Sequence, residues 1–88
     1  MPTYVIEAYL SREHSDELGA ATRRLRFAAG APPPGEAMVR YVRSVFLPAD
    51  ETCFHFVEAP SADAASELAI RAAIYPDRVL EAEASDGS

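Results

Sequence analysis

The chain opens on alternating apolar and polar residues, and three further short apolar stretches follow, a pattern that favours β-strands. Two stretches between them repeat apolar residues every three or four positions, which is the spacing of an amphipathic helix. The predicted order is strand, helix, strand, strand, helix, strand. We predict the strands at residues 3–9, 38–47, 51–58 and 78–84, in one domain of residues 1–84 followed by a polar tail at residues 85–88.

Each predicted helix has recognisable start and stop signals. Ser15 is the predicted N-cap of the first helix and Ser61 that of the second, because a serine hydroxyl accepts a hydrogen bond from the first helical turn. Gly30 ends the first helix, and Tyr75 before Pro76 stops the second. The predicted buried stripes are Leu18, Ala21, Thr22, Leu25, Ala28 and Ala29 in the first helix and Ala65, Leu68, Ala69 and Ala72 in the second.

This order of elements predicts an α+β fold, the ferredoxin-like βαββαβ plait, with two helices on one face of a four-stranded antiparallel sheet. Two helices leave the other face of the sheet uncovered. Large apolar groups on both faces of the second and third strands therefore favour a homodimer of the dimeric α/β-barrel type, joined sheet to sheet around an enclosed space. We expect one face to carry Val42, Phe46, Phe54 and Phe56 and the other to carry Tyr41, Val45, Cys53 and Val57.

The composition narrows the classes of partner. The 88 residues include eight Arg, no Lys and 14 acidic groups, and the formal net charge of −6 argues against nucleic acid and anionic membrane surfaces as partners. No apolar run approaches the roughly 20 residues of a membrane span, and Glu7 lies where a signal peptide would be apolar. We therefore expect a soluble cytoplasmic protein. The absence of lysine excludes a Schiff-base nucleophile, and one cysteine cannot form an internal disulfide.

Polar residues inside the predicted strands are the candidates for chemistry, because hydrophobic residues would pack there at lower cost. If the hairpin register places Arg43 and His55 on the same side of the sheet, they are neighbours, and Glu7 joins them. Arg43 would bind a carboxylate or phosphate, His55 would act as an acid, a base or a metal ligand, and Glu7 would be a base or would orient His55. The alternative is a buried ion-pair cluster at the dimer interface.

Other residues give weaker signals. Tyr9 and Tyr41 are candidates to line a pocket, although packing in a core or an interface explains them equally well. Cys53 is expected to be a small buried hydrophobic residue, and His14 a solvated loop residue or a metal ligand. Ser44 has no histidine and aspartate at a recognisable spacing, so the sequence does not support a serine triad.

Three segments resemble a family of small bacterial domains of unknown function. They are Tyr-Val-Arg-Ser at residues 41–44, the segment 53–61 ending in Glu-Ala-Pro-Ser, and Tyr-Pro-Asp-Arg-Val at 75–79, so that the resemblance covers residues 38–80. It implies a ferredoxin-like fold and a homodimer, and the family includes nickel-binding proteins. It therefore implies nickel or another divalent metal as a cofactor, with His14 and His55 as the ligands in this chain.

The chain departs from that family at the residues that would bind the metal. Arg43 stands where the resemblance implies a histidine, and His55 where it implies a cysteine. A permanent cation at position 43 repels a divalent metal, so the departures weigh against nickel.

Three hypotheses about function follow. The first is a non-enzymatic homodimeric domain that binds a small ligand or a metal between its two sheets, with Glu7, Tyr9, Tyr41, Arg43 and His55 as the ligand-binding residues. The second is a dimeric α/β-barrel enzyme, namely an isomerase, cyclase or cofactor-free oxygenase, with His55 or Glu7 as base and Arg43 as anion clamp. The third is an interaction module whose apolar sheet binds a protein partner.

Overall fold

The computed structural model describes residues 1–83 and 85. Two 3-10 turns, at Arg12–His14 and Pro48–Asp50, accompany the six main elements. These elements are β1 (Thr3–Tyr9), α1 (Glu17–Gly30), β2 (Arg40–Leu47), β3 (Thr52–Glu58), α2 (Ala62–Arg71) and β4 (Arg78–Ala82). Ala84 and residues 86–88, where we predicted the end of the last strand and most of a polar tail, lie outside the described residues.

The four strands form one antiparallel sheet in the order β2-β3-β1-β4. This is the predicted ferredoxin-like plait, and both helices cover one face, which we call the helix side; the other is the open face. Within the described residues, no helix is long and apolar enough to cross a membrane. The core between sheet and helices includes Tyr4, Ile6 and Ala8 of β1, Val57 of β3, Leu25 and Ala28 of α1, and Ala65, Leu68 and Ala69 of α2.

The two predicted helix starts had different outcomes. Ser61 caps α2 as expected, because its hydroxyl oxygen accepts a hydrogen bond from the backbone N–H of Ala64 at 3.1 Å. The prediction of Ser15 as the cap of α1 is wrong. The 3-10 turn at Arg12–His14 occupies the approach to the helix, and Asp16 is the N-cap residue without a side-chain cap bond.

A β-bulge in β2 decides which side chains reach each face of the sheet. Tyr41 pairs with Val57 and Arg43 pairs with Phe56, so Val42 is an extra residue without a partner of its own in β3. Residues three positions apart therefore share a face across the bulge. By the strand register, Tyr41 and Ser44 both lie on the helix side. Arg40 and Arg43 both lie on the open face.

The bulge and the hairpin register overturn the predicted apolar faces. Phe46 pairs with Cys53 on the helix side, and Val45 pairs with Phe54 on the open face, which is the reverse of the expected grouping. The expected grouping of Tyr41 with Val45 is also wrong, because the extra residue between them shifts the alternation.

Candidate functional site

The open face carries an apolar patch along its centre. Phe54 and Phe56 of β3 are half-buried there, beside Val5 of β1. Val45 of β2 is 36% exposed and Leu80 of β4 is 41% exposed. Neither helix covers these side chains. A contiguous apolar patch of this kind typically marks a surface that binds a ligand or a second protein.

Charged side chains flank this patch in cross-strand pairs. Arg78 Nε donates to a carboxylate oxygen of Glu7 at 2.9 Å, and Arg40 Nε donates to Glu58 at 2.6 Å. Arg43 forms no ion pair with any residue in the part of the chain that the structure describes. The open face therefore presents one guanidinium that keeps its donors available to another molecule.

The Arg40–Glu58 bond also fixes the charge state of both groups. The hydrogen bond from Arg40 lowers the pKa of Glu58, and the same bond raises the pKa of Arg40. Arg40 is exposed and Glu58 is only half-buried, so the pair orients the two side chains more than it stabilises the fold.

A groove of about 530 Å³ lies on the open face beside the bulge. Its walls combine apolar side chains with three of the charges described above and with Glu83 after β4. The volume is within the range of small-molecule sites. The groove is lined by Thr3, Arg40, Val42, Arg43, Phe56, Glu58, Ala82, Glu83 and Ser85.

On the helix side, three polar side chains form a hydrogen-bonded chain. Ser44 Oγ lies 2.6 Å from Nδ1 of His55 and 2.7 Å from the hydroxyl oxygen of Tyr41. The guanidinium of Arg26 lies over the Tyr41 ring at 5.7 Å from its centroid, which is within cation–π range. His55 is only 2% exposed, so this chain satisfies a polar group inside the core.

The surroundings of His55 keep it neutral near physiological pH. Burial lowers the pKa of His55 to about 4, and the positive charge of Arg24 acts in the same direction. No Asp or Glu is bonded to this imidazole among the described residues. His55 is thus a neutral core residue and not a base that titrates near pH 7.

The structure separates His55 from Arg43, the anion clamp of the enzyme hypothesis. Arg43 is on the open face, whereas His55 is on the helix side, because the two strands pair Arg43 with Phe56 and Ser44 with His55. Glu7 is on the open face and is bonded to Arg78 instead. The register therefore does not make Arg43 and His55 neighbours, and the form of the enzyme hypothesis that uses His55 as the base loses its geometric basis.

The two tyrosines also separate. Tyr41 packs on the helix side against the core, so it does not face the open surface. Tyr9 is 65% exposed at the end of β1 and lines a cavity of about 240 Å³ near the ends of the two helices, with Tyr75, Arg24 and Cys53. Of the five predicted ligand-binding residues, Arg43 lines the open-face groove, and Glu7 lies on the same face outside it.

The residues that would bind nickel do not fit a metal site. His14 is exposed and lies 3.4 Å from Glu17, whereas His55 is buried and bonded to Ser44. Burial raises the pKa of the Cys53 thiol, which disfavours the thiolate that a metal needs. Across residues 1–83 and 85, no three His, Cys, Asp or Glu side chains cluster closely enough to bind a metal ion.

The sequence analysis did not predict two of the side-chain pairs. Ser44 has a histidine partner after all, in His55, but no carboxylate completes a triad. Arg78 pairs with Glu7, because the N–H of Asp77 donates to the Glu7 carbonyl at 2.7 Å and fixes how β4 lies against β1. Both pairs follow from the strand register, and the order of elements in the plait determines that register only in part.

Comparison with known proteins supports the fold. The chain is similar to the crystal structure of SCO4226 from Streptomyces coelicolor A3(2), with 21% sequence identity and a TM-score of 0.77. The match covers 94% of this chain and 98% of that one. No protein-family model and no curated protein matches the sequence. At this identity the likeness concerns the arrangement of strands and helices, and it leaves the chemistry of the site to the residues themselves.

Proposed function

We propose that the protein is a non-enzymatic homodimeric domain that binds a small organic molecule between the open faces of two copies. The observation that carries the proposal is the open face itself, where an apolar centre is flanked by ordered charged pairs. Apolar walls with a few fixed polar groups are typical of small-molecule sites.

A second copy is the cover that suits this face. Two identical faces bring apolar centres together and leave their charged pairs toward the rim, which is the usual arrangement of an interface. A standard interface covers about 800 Å² on each partner, roughly one-seventh of the 5561 Å² that this chain exposes. One face of a four-stranded sheet supplies an area of that order.

The ligand would be organic and not a bare metal ion. The histidines lie apart and the cysteine is buried. The charged side chains that line the open-face groove are those of Arg40, Arg43, Glu58 and Glu83. Guanidinium groups repel cations and bind anions. The geometry therefore favours the small-ligand form of the hypothesis over its metal-binding form.

The first experiment tests assembly through this face. Sedimentation equilibrium at micromolar concentration should give twice the monomer mass. Val45→Asp places a charge in the middle of the open face and should shift the sample to monomers. Ile70→Asp, at a 57% exposed position of α2, is the matched control and should leave the mass unchanged. A wild-type monomer, or equal behaviour of the two variants, would contradict the proposed dimer.

The second experiment looks for the ligand. Native mass spectrometry of the purified dimer should show an added mass of a small organic molecule that is lost on denaturation. A dimer without such a mass, which also takes up no small apolar probe in solution, would favour the interaction-module hypothesis instead.

A further inference from the structure

We infer that the molecule held at the open face is a monoanion with an apolar body, a carboxylate in chemical class, and that Arg43 binds its charged end. This inference rests on the proposed function and specifies the chemistry of its ligand. The groove beside the bulge is where this molecule would lie, with Arg43 in its wall.

The bulge is what supplies the anion-binding groups. In a regular strand Arg40 and Arg43 would point to opposite faces, because they are three residues apart. The extra residue Val42 places both guanidinium groups along the same groove, where they line it together with Phe56. Bulges are frequent next to binding sites because they redirect side chains in this way.

The ion pairs of the groove distinguish the two arginines. Glu58 accepts a hydrogen bond from Arg40, which neutralises that charge and orients its side chain. Arg43 has no such partner within residues 1–83 and 85. If a second copy covered the face, an unpaired guanidinium would lose its water, and a counter-charge from the ligand would offset that cost.

The remaining walls indicate the rest of the ligand. One side of the groove is apolar and is formed by Val42, Phe56 and Ala82. A ligand that is polar throughout would bury no apolar surface against this side. Glu58 and Glu83 also line the groove, and their negative charges would repel a second negative charge on the ligand. A single carboxylate on a hydrocarbon or aromatic body therefore fits better than a doubly charged phosphate.

Glu83 is the internal competitor for Arg43. It lines the same groove, although the structure shows no ion pair between the two side chains at 4.0 Å or less. If the ligand is the partner of Arg43, removal of the Glu83 charge leaves anion binding intact or strengthens it. If Glu83 is instead the partner of Arg43, its removal leaves the Arg43 guanidinium unpaired under the second copy, and this weakens the dimer.

Two probes of matching shape test the inference. The wild-type dimer is titrated by calorimetry with 2-naphthoate and with the neutral 2-naphthylmethanol. We expect naphthoate to bind more tightly by about tenfold, since a charge-assisted hydrogen bond to a guanidinium is absent from the alcohol. Arg43→Gln should remove this difference, whereas Arg23→Gln, at an exposed position of α1, should keep it. Sedimentation of each variant establishes that it is still a dimer.

The outcomes separate the two proposals. Equal affinities of both probes for the wild-type dimer, or unchanged naphthoate affinity in a dimeric Arg43→Gln variant, overturn the inference and leave the proposed function in place. Binding of neither probe by the dimer also overturns it, as does dissociation of the dimer by Glu83→Gln. A wild-type chain that sediments as a monomer and binds neither probe overturns the proposed function itself.

Discussion

The Ser44 hydroxyl oxygen lies 2.6 Å from Nδ1 of His55, and this contact joins two strands beneath the helices. The same oxygen lies 2.7 Å from the Tyr41 hydroxyl. One serine thus satisfies a buried imidazole and a half-buried phenol at once. The contact exists because the bulge places Tyr41 and Ser44 on one face of β2.

Removal of the Ser44 hydroxyl should therefore destabilise the protein. Ser44→Ala leaves the His55 nitrogen and the Tyr41 hydroxyl without their partner, and the expected loss in the free energy of unfolding is about 1–3 kcal/mol. Tyr41→Phe removes one bond only and should cost less. Urea denaturation of both single variants and the double variant gives the coupling between them. Strictly additive losses would contradict a shared network.

Acidification should destabilise the protein through His55 well before most carboxylates titrate. The pKa of His55 is about 4 in the folded chain and 6.5 in the reference state, so between these values the unfolded chain binds a proton that the folded chain does not. Stability is complete above the higher value and falls as the pH drops toward the lower one. The total loss is about 3 kcal/mol, and the measurement is urea denaturation at a series of pH values.

Two controls identify His55 as the cause. His14→Gln, at an exposed position, should keep the slope of stability against pH, whereas His55→Phe should flatten it between about pH 6.5 and 5. If His55→Phe does not fold, proton NMR titration of the wild-type imidazoles gives the answer directly. A His55 resonance that titrates near 6.5 would contradict the prediction. The lowered pKa of Glu58 contributes only below its ordinary value of 4.5.

The two serines that precede helices should differ in their effect on stability. Ser61→Ala removes the hydroxyl that accepts from the Ala64 N–H, at an expected cost of about 1 kcal/mol in the free energy of unfolding. Ser15→Ala removes a hydroxyl that caps nothing, so its effect should be close to zero. Chemical denaturation of the pair checks this, and equal losses would contradict the assigned caps.

Cys53 should react slowly with thiol reagents. It is 3% exposed, and burial raises its pKa, so the fraction of reactive thiolate is small. We expect 5,5′-dithiobis(2-nitrobenzoate) to modify the native chain slower than the urea-unfolded chain by roughly a factor of ten or more. Ala49→Cys on a Cys53→Ala background, at an exposed position of the hairpin turn, should react at the unfolded rate. Equal rates for native and unfolded Cys53 would show that the thiol is accessible.

The order of elements could be predicted from the sequence because local signals determine it. β1 was predicted at its observed bounds, Thr3–Tyr9, from its β-branched and aromatic residues. Ser61 acts through a hydrogen bond within the first turn of α2, and α1 ends at Gly30 as predicted. The start of α1 was misplaced at Ser15 because the preceding turn at Arg12–His14 gives no periodic signal.

The candidate site could not be predicted in the same way, because it depends on pairing between strands. Valine is a common strand residue, and nothing in the sequence around Val42 marks it as the extra residue of a bulge. Without the bulge, alternation predicts that Tyr41 and Arg43 share a face, and the structure separates them. Likewise, a one-residue difference in register decides whether Arg43 or Ser44 meets His55.

The unpartnered position of Val42 bears on how this hairpin should be compared with other hairpins. Omitting that residue would let the pairs Tyr41 with Val57 and Arg43 with Phe56 follow one another in a regular ladder. A homologue with an uninterrupted strand is therefore aligned correctly only with a one-residue gap here. An ungapped alignment would exchange the inward Tyr41 with the outward Arg40, and every residue upstream in the strand would be assigned to the wrong side.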